Sequence, residues 1–459
     1  METETIRRWL EADPLWRRAI AAMLQKTSVY LVGGTVRDAL LQRPSCDLDL
    51  AVAHGGMALA RYLANILGGA YVPLDAERDV GRVVLSGDSA RQHIDVAALR
   101  AESIEEDLRA RDFTINAMAV PLTATEWGPL LDPLKGRVDL QAKVLRAASP
   151  QAFHQDPLRI LRAIRLRGAL GFRIEAQTME LMQAALAGLG RVSAERLRDE
   201  LAQILALDDA AEALSYAADL GVWQTALPEV PSLTRANAPR LITCQMIEKC
   251  LRSVWGQEGR QDACAGMIGV LRPYRAELIE YWQQELSDER PRWLLTKLAA
   301  VLFDDAEAAH RSADLLRRLR FSNREVQHVE QSLRAALEWW PSLDAVHSPP
   351  LAAYRYYREA GEAGVDGALL RLASSAAQGA GRLPLARSEL LFSAWFRHRQ
   401  EWLCPPPLLS GHDITTMLAL RPGPKVGELL EALREAQVQG LVRTPQEAKT
   451  YVRQLYDMG

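Results

Sequence analysis

No apolar run in this sequence is long enough to cross a bilayer. The best stretch, Leu294 to Phe303, is interrupted by Lys297 and falls well short of the ~18 residues a spanning helix needs. The start, METETIRRWLEADPLWRR, is acidic and then amphipathic, without the apolar core and small-residue cleavage site of a secretory leader. These absences lead us to expect a cytoplasmic protein with no membrane partner. Cysteine is scarce: Cys46, Cys244, Cys250, Cys264 and Cys404 are an odd set with no C-x-x-C pair and no histidine at zinc-ligand spacing. That excludes a disulfide framework and a cysteine zinc site, and predicts reduced thiols. Neither charge dominates, since 55 Lys+Arg against 58 Asp+Glu leaves a net charge of −3. A near-neutral total does not decide the partner, because arginines can gather on one face of an acidic protein. There is no repeat of fixed period and no low-complexity tract, and oligomeric state leaves no mark in the sequence.

With 459 residues, of which 48% are hydrophobic and 25% charged, the chain has the composition of about three folded domains. From about Ser28 to Val120, short β-branched runs (SVYLV, DLDLAV, RVVLS, HIDVAAL, TINAMAV) alternate with helical stretches such as Gly56–Leu67. From about Asp156 onward strand signals nearly vanish, and Leu/Ala/Arg-rich helical periodicity takes over. It is punctuated at Pro228–Pro231, Pro341, Ser348–Pro350 and Cys404–Pro407. The pattern predicts a head of mixed strands and helices on a long helical body.

The chemistry-bearing residues begin at YLVGGTVRDALLQRPSCDLDL. An apolar strand runs into Gly33-Gly34 and then a helix carrying Arg37 and Asp38. Glycines let the backbone approach an anion, and the helix start with Arg37 supplies positive potential for a triphosphate. Asp47 and Asp49 follow on a predicted strand. Side chains at i and i+2 share a face about 7 Å apart along the backbone, so the two carboxylates can converge on hard divalent cations. Leu48, Leu50 and Val52 place an apolar face behind them. Asp95 in HIDVAAL offers a third acid on a neighbouring predicted strand.

The string LVGGTVRDALLQRPSCDLDLAV resembles the first signature of the class II tRNA nucleotidyltransferase and bacterial poly(A) polymerase family, a branch of the polymerase β superfamily. EDLRARDFTINAMAV is similar to the second motif, whose Arg-Asp pair recognises the ribose and phosphates of the incoming nucleotide. That role carries over to Arg111 and Asp112, with Asn116 fixing the turn; Ala110 stands where relatives usually have another arginine. LDPLKGRVDL resembles the third motif, a Gly turn acting as a hinge. The fourth motif, Glu-Asp-x-x-Arg, appears as Gln155-Asp156-Pro157-Leu158-Arg159, and SAERLRDEL resembles the fifth, here read as a capped bracing helix.

In the family the fourth motif's Asp and Arg read the Watson–Crick edge of the nucleotide. A carboxylate accepts from the exocyclic amine of cytosine or adenine, and a guanidinium donates to their ring acceptors. Uracil and guanine present carbonyls where the amines would be, a mismatch worth on the order of 1–3 kcal/mol for each unpaired buried group. On residues alone, Asp156 also suits a helix N-cap. Arg159, Arg162 and Arg165 recur at i+3 on one basic helix face, and the resemblance implies that Arg162 and Arg165 line the nucleotide site.

The resemblance implies an α+β molecule: a polymerase β-like nucleotidyltransferase head (mixed sheet with helices, residues 1–145), then an all-helical neck (146–215), body (216–400) and tail (401–459). It implies transfer of CMP and/or AMP from CTP or ATP to the tRNA 3′ end, with two Mg²⁺ ions at Asp47 and Asp49. Poly(A) synthesis on RNA 3′ ends is the alternative within the family. A non-catalytic RNA-binding protein is the alternative outside it, disfavoured because the acids and base-reading pair are all present. The body also resembles the HD-type phosphohydrolase domain of some relatives, but Phe303 precedes Asp304 where histidine would be, so we read it as a degenerate, metal-free relative of that domain or as an unrelated helical domain of the same length. No histidine lies between Asp156 and Asp304, so we expect no phosphohydrolase activity. Leu409-Ser410-Gly411-His412-Asp413 and Pro422-Gly423-Pro424 match the family's tRNA-gripping tail, with His412-Asp413 read as an N-cap environment. Pro73–Arg82, polar and between strands, is the expected flexible loop of the head.

Overall fold

A computed structural model describes residues 2–86, 91–228, 230, 239–256, 265–287, 290–305, 307–345, 348–379 and 382–458. They form two compact units, Met1–Val192 and Ser193–Gly459, the division falling inside the segment read as the neck. Cys264 and Pro231 lie outside the described residues. No helix is long and apolar enough to cross a membrane among the described residues.

The first unit is built on a mixed six-stranded sheet. Helices α1 (Glu2–Ala12) and α2 (Pro14–Leu24) lead in, and Asp13 caps α2 by accepting from the amide of Leu15 at 2.7 Å. Then come β1 (Val29–Val32), α3 (Gly33–Leu40), β2 (Asp47–Val52), α4 (Gly56–Leu67), β3 (Ala70–Asp75), β4 (Val80–Ser86), β5 (Arg91–Ala98), α5 (Ile104–Arg109) and β6 (Ala119–Leu122). The strand order is β3-β4-β5-β2-β1-β6, with β2 and β5 parallel and the other neighbours antiparallel. Strand alternation decides which face is core: Leu48, Leu50, Val83, Leu85, Ile94 and Val96 are all buried, and α4 packs on β4 and β5. The opposite face carries Asp47, Asp49, Arg82, His93 and Asp95.

Thr114–Asn116 of TINAMAV is a 3₁₀ turn and the strand starts only at Ala119, because the Asn116 side chain bonds into the turn. Pro73–Arg82 is mostly β-ladder, with Val72 paired to Arg82 and Pro73 to Gly81, so only the tip around residues 76–79 is a turn. Polar composition there reflects an edge hairpin, not a long loop.

Beyond the sheet lie α6 (Gly136–Gln141), β7 (Val144–Leu145), α7 (Ala152–Gln155), α8 (Arg159–Leu170), β8 (Arg173–Ile174) and α9 (Ala176–Ala185). In the Gly turn before α6 it is Lys135 that has positive φ (58°). Gly136 is needed because a Cβ there would collide with the Thr114 carbonyl.

Among its described residues, the second unit is helical apart from the short ladder Glu285–Ser287 with Arg290–Pro291. Its centre is helix Arg292–Leu302, packed against helices Ala194–Leu205, Pro239–Val254, Asn323–Arg334 and Gly364–Ala377. Lys297, which interrupts the apolar run in the sequence, is 4% exposed and donates to the carbonyls of Leu205 (3.1 Å) and Leu207 (2.7 Å). A cation at those end carbonyls answers the helix dipole. Ser193 stands at the N-cap of Ala194–Leu205, but its side chain makes no capping bond. The C-terminal helices Gly411–Leu418, Pro424–Val438 and Pro445–Met458 share a core of Ile414, Leu429, Leu433, Ala448 and Val452. The first opens with a capping box between Ser410 and Asp413, so Ser410 is the cap and His412-Asp413 lies within the helix.

Candidate active site

Period-two alternation and strand register together build the acidic face. In the parallel pair β2/β5, Asp49 lies opposite Asp95 and Asp47 opposite His93; in the antiparallel pair β4/β5, Arg82 lies opposite Asp95. Arg82, Asp95 and Asp49 thus form a row across three strands, with Asp47 one step along β2. The Asp47 side chain is 68% exposed, and its Oδ1 lies 3.2 Å from His93 Nδ1.

The Gly33-Gly34 turn closes on this row. Gly33 has φ +65°, and the Gly34 amide donates to Asp49 Oδ2 at 2.9 Å. A methyl at Gly34 would stand 3.0 Å from that oxygen, and one at Gly33 would meet Arg111 Nη1 at 2.9 Å. The glycines therefore let the start of α3 reach the carboxylate and Arg111 together. Thr35 Oγ1 accepts the backbone N–H of Asp49 at 2.6 Å, locking β2 to α3.

Burial, and then the charges of Asp95 and Asp47, push the Asp49 carboxyl above its usual range, against the opposing pull of Arg111 and Arg162. Hard oxygen donors on one face, crowded enough to resist ionisation, are a donor set suited to a divalent cation of the Mg²⁺ class. Among the described residues, however, no three His, Cys, Asp or Glu are already arranged around one ion position.

A relay of side chains runs from this face to α8. Arg37 forks onto Asp38 (2.8 and 2.7 Å) and donates through Nη1 to Asn116 Oδ1 at 2.7 Å. Asn116 Nδ2 donates to Asp112 Oδ1 at 3.1 Å, and the other oxygen of Asp112 meets Arg162 Nε at 3.0 Å. Asp112 is buried; despite that burial, Arg162 and the Asn116 bond hold its carboxyl below the usual range. Arg111 is held by Asp107 Oδ2 (3.1 Å).

Arg159, the first residue of α8, donates to the carbonyls of Ala110 (3.0 Å), Arg111 (3.2 Å) and Ala152 (3.3 Å). The bond at position 110 is to backbone and does not depend on the side chain there. Asp156 accepts from the Leu158 amide at 3.3 Å, but it is not the N-cap expected of it: α8 starts at Arg159 with Leu158 at the N-cap and no capping side chain, and Asp156 follows the end of α7, where Gln155 has an exposed side chain. Arg165 lies one turn beyond Arg162 along α8.

The structure thus gathers Gly33, Gly34, Asp47, Asp49, Asp95 and Arg111 at one face, and joins Arg37, Asn116, Asp112 and Arg162 in one network. Asp156 and Arg159 sit together at the start of α8. Sequence reasoning missed Arg82, His93, Thr35 and Asp107, and noted Asp38 without its role as the partner of Arg37. Only Asp38 and Asp107 left a usable signal, an acid beside or four residues from a motif arginine; the others depend on register. In the second unit, Asp304 is paired with Arg240 and with Arg311, so its carboxylate has guanidinium partners.

The sequence matches the Poly A polymerase head domain over residues 29–146 and the probable RNA and SrmB-binding site of polymerase A over 171–233. A CC-adding tRNA nucleotidyltransferase of Geobacter sulfurreducens is 36% identical over 427 residues, 92% of this chain and 91% of that one. An A-adding tRNA nucleotidyltransferase of Deinococcus radiodurans is 33% identical over 441 residues, covering 92% and 94%. The fold matches a CCA-adding enzyme solved with ATP (TM-score 0.67, 23% identity, 98% of each chain). It also matches the Thermotoga maritima CCA-adding enzyme solved with tRNA (TM-score 0.62, 24% identity, 99% of this chain and 98% of that one). Fold and sequence together define a nucleotidyltransferase with a polymerase-type head. The chain belongs to the tRNA nucleotidyltransferase family.

Proposed function

We propose that this protein transfers CMP and/or AMP from CTP or ATP to the 3′ hydroxyl of tRNA. The observation that carries the reading is the convergence of Asp47, Asp49, the Gly33-Gly34 turn and Arg111 on one sheet face. Asp47 and Asp49 would hold Mg²⁺, with Asp95 as third acid. Bound there, Mg²⁺ supplies activation of the attacking hydroxyl and neutralisation of the pyrophosphate that leaves.

The remaining work belongs to the chain. Arg111, steadied by Asp107, and Arg37, steadied by Asp38 and Asn116, supply fixed positive charge for the phosphates. The Asp112–Arg162 pair ties α8 to that phosphate-binding segment, so base and triphosphate are positioned by one network. Asp156 would accept from an exocyclic amine, and Arg159, with donors beyond its three backbone bonds, would donate to a ring acceptor. Together they select C and A over U and G.

Incorporation into purified tRNA ending at the discriminator base, with CTP, ATP or both, tests the reading. Addition of C, of A, or of both in order supports it and identifies the product. Long adenosine tails on unrelated RNA would instead favour a poly(A) polymerase, and no incorporation would favour a non-catalytic RNA-binding role. Arg159→Ala is expected to lose selectivity against UTP.

A further inference from the structure

We propose that Arg82 is a built-in counter-ion for the acidic face, holding Asp95 until a divalent cation takes that carboxylate over. This rests on the reading that Asp47 and Asp49 bind such a cation. Arg82 occupies the β4 position directly across from Asp95, and its fork engages both carboxylate oxygens, Nε to Oδ1 at 2.7 Å and Nη2 to Oδ2 at 2.8 Å. The pair is reachable from solvent, with side-chain exposures of 36% and 30%, so an ion can exchange with it.

Both Asp95 oxygens are taken by the guanidinium, and Asp49 Oδ2 is taken by the Gly34 amide. Three carboxylates this close repel one another without a cation. Arg82, fixed by strand register at the end of the row, relieves that repulsion from within. The same bond must be broken when Asp95 becomes a ligand, so Arg82 competes with the metal and sets how much of it the site needs. Arg82 is in this sense a positioning residue: it acts through Asp95.

Mn²⁺ binding to the full chain, followed by electron paramagnetic resonance without nucleotide or tRNA, tests this independently of turnover. Arg82→Gln is expected to bind Mn²⁺ about two- to fivefold more tightly than wild type, the worth of a half-exposed ion pair. In EDTA the variant should melt below wild type, with added Mn²⁺ closing the gap. Arg82→Lys, whose single ammonium cannot span both oxygens, should tighten binding less, and it carries the comparison if Arg82→Gln does not fold by circular dichroism. Equal or weaker Mn²⁺ binding by a folded Arg82 variant, while Asp49→Asn abolishes binding, overturns the role of Arg82 alone. Wild type binding no more Mn²⁺ than Asp47→Ala/Asp49→Ala overturns the metal reading and the proposal with it.

Discussion

Asp49 is held on one side by the Gly34 amide and faced on the other by Asp95 and Asp47, so without a cation its ionised form is costly. A carboxyl raised in the folded state binds its proton more tightly than in the unfolded chain. Stability is therefore lost as pH rises through the folded value. Asp49→Asn removes the charge and keeps an acceptor for Gly34. In EDTA at pH 8 it should melt at or above wild type while losing transfer by on the order of a thousandfold or more. Calorimetry and a nucleotide-incorporation assay read the two effects separately, and a variant that keeps its activity would remove Asp49 from the site. Gly34→Ala puts a methyl 3.0 Å from Asp49 Oδ2; a loss of on the order of tenfold in kcat/KM with the fold intact is expected.

Among the elements, the helices of the second unit are joined by buried polar groups that hydropathy does not reveal. Asp366, fully buried on Gly364–Ala377, accepts from Tyr281 OH (2.8 Å), Trp282 Nε1 (3.3 Å) and Thr296 Oγ1 (2.7 Å), and pairs with His328 Nε2 (2.8 Å). Asp366→Ala would strand these donors. A loss of about 3–5 kcal/mol is expected in urea unfolding, with Asp366→Asn losing less. Glu248, on Pro239–Val254, accepts the Ala211 amide at 3.1 Å and lies 3.6 Å from Lys297 Nζ. Burial pushes its carboxyl up to about 7, against the pull of Lys297. The folded state then keeps a proton that the unfolded chain has released. Its stabilising contribution, complete below the ordinary carboxylate value, is lost as pH rises towards 7. Melting temperatures from pH 5 to 8 should show this decline, and Glu248→Gln should flatten it; identical slopes would place the effect elsewhere.

For the molecule as a whole, a net charge of −3 provides no general attraction to tRNA, so any grip must come from local clusters of basic side chains. Phosphate contacts release counterions, and affinity should fall by on the order of tenfold or more between about 50 and 200 mM salt. Fluorescence anisotropy with labelled tRNA measures this, and an affinity indifferent to salt would exclude phosphate neutralisation as the basis of binding.

Much of this was legible in one dimension. The strand DLDLAV, helix Gly56–Leu67 and the Gly33-Gly34 turn stand where local alternation and chain-breaking residues put them, because each is set by contacts within a few residues. The acids Asp47 and Asp49 could be assigned a common face by spacing alone. What spacing could not supply was register: that Arg82 and Asp95 meet, that Lys297 reaches the carbonyls of Leu205 and Leu207, and that the Ala110 carbonyl receives Arg159. A strand or helix pattern fixes which way a side chain points, whereas its partner is chosen by how separate segments slide past one another. That choice belongs to the energy of the whole packed unit.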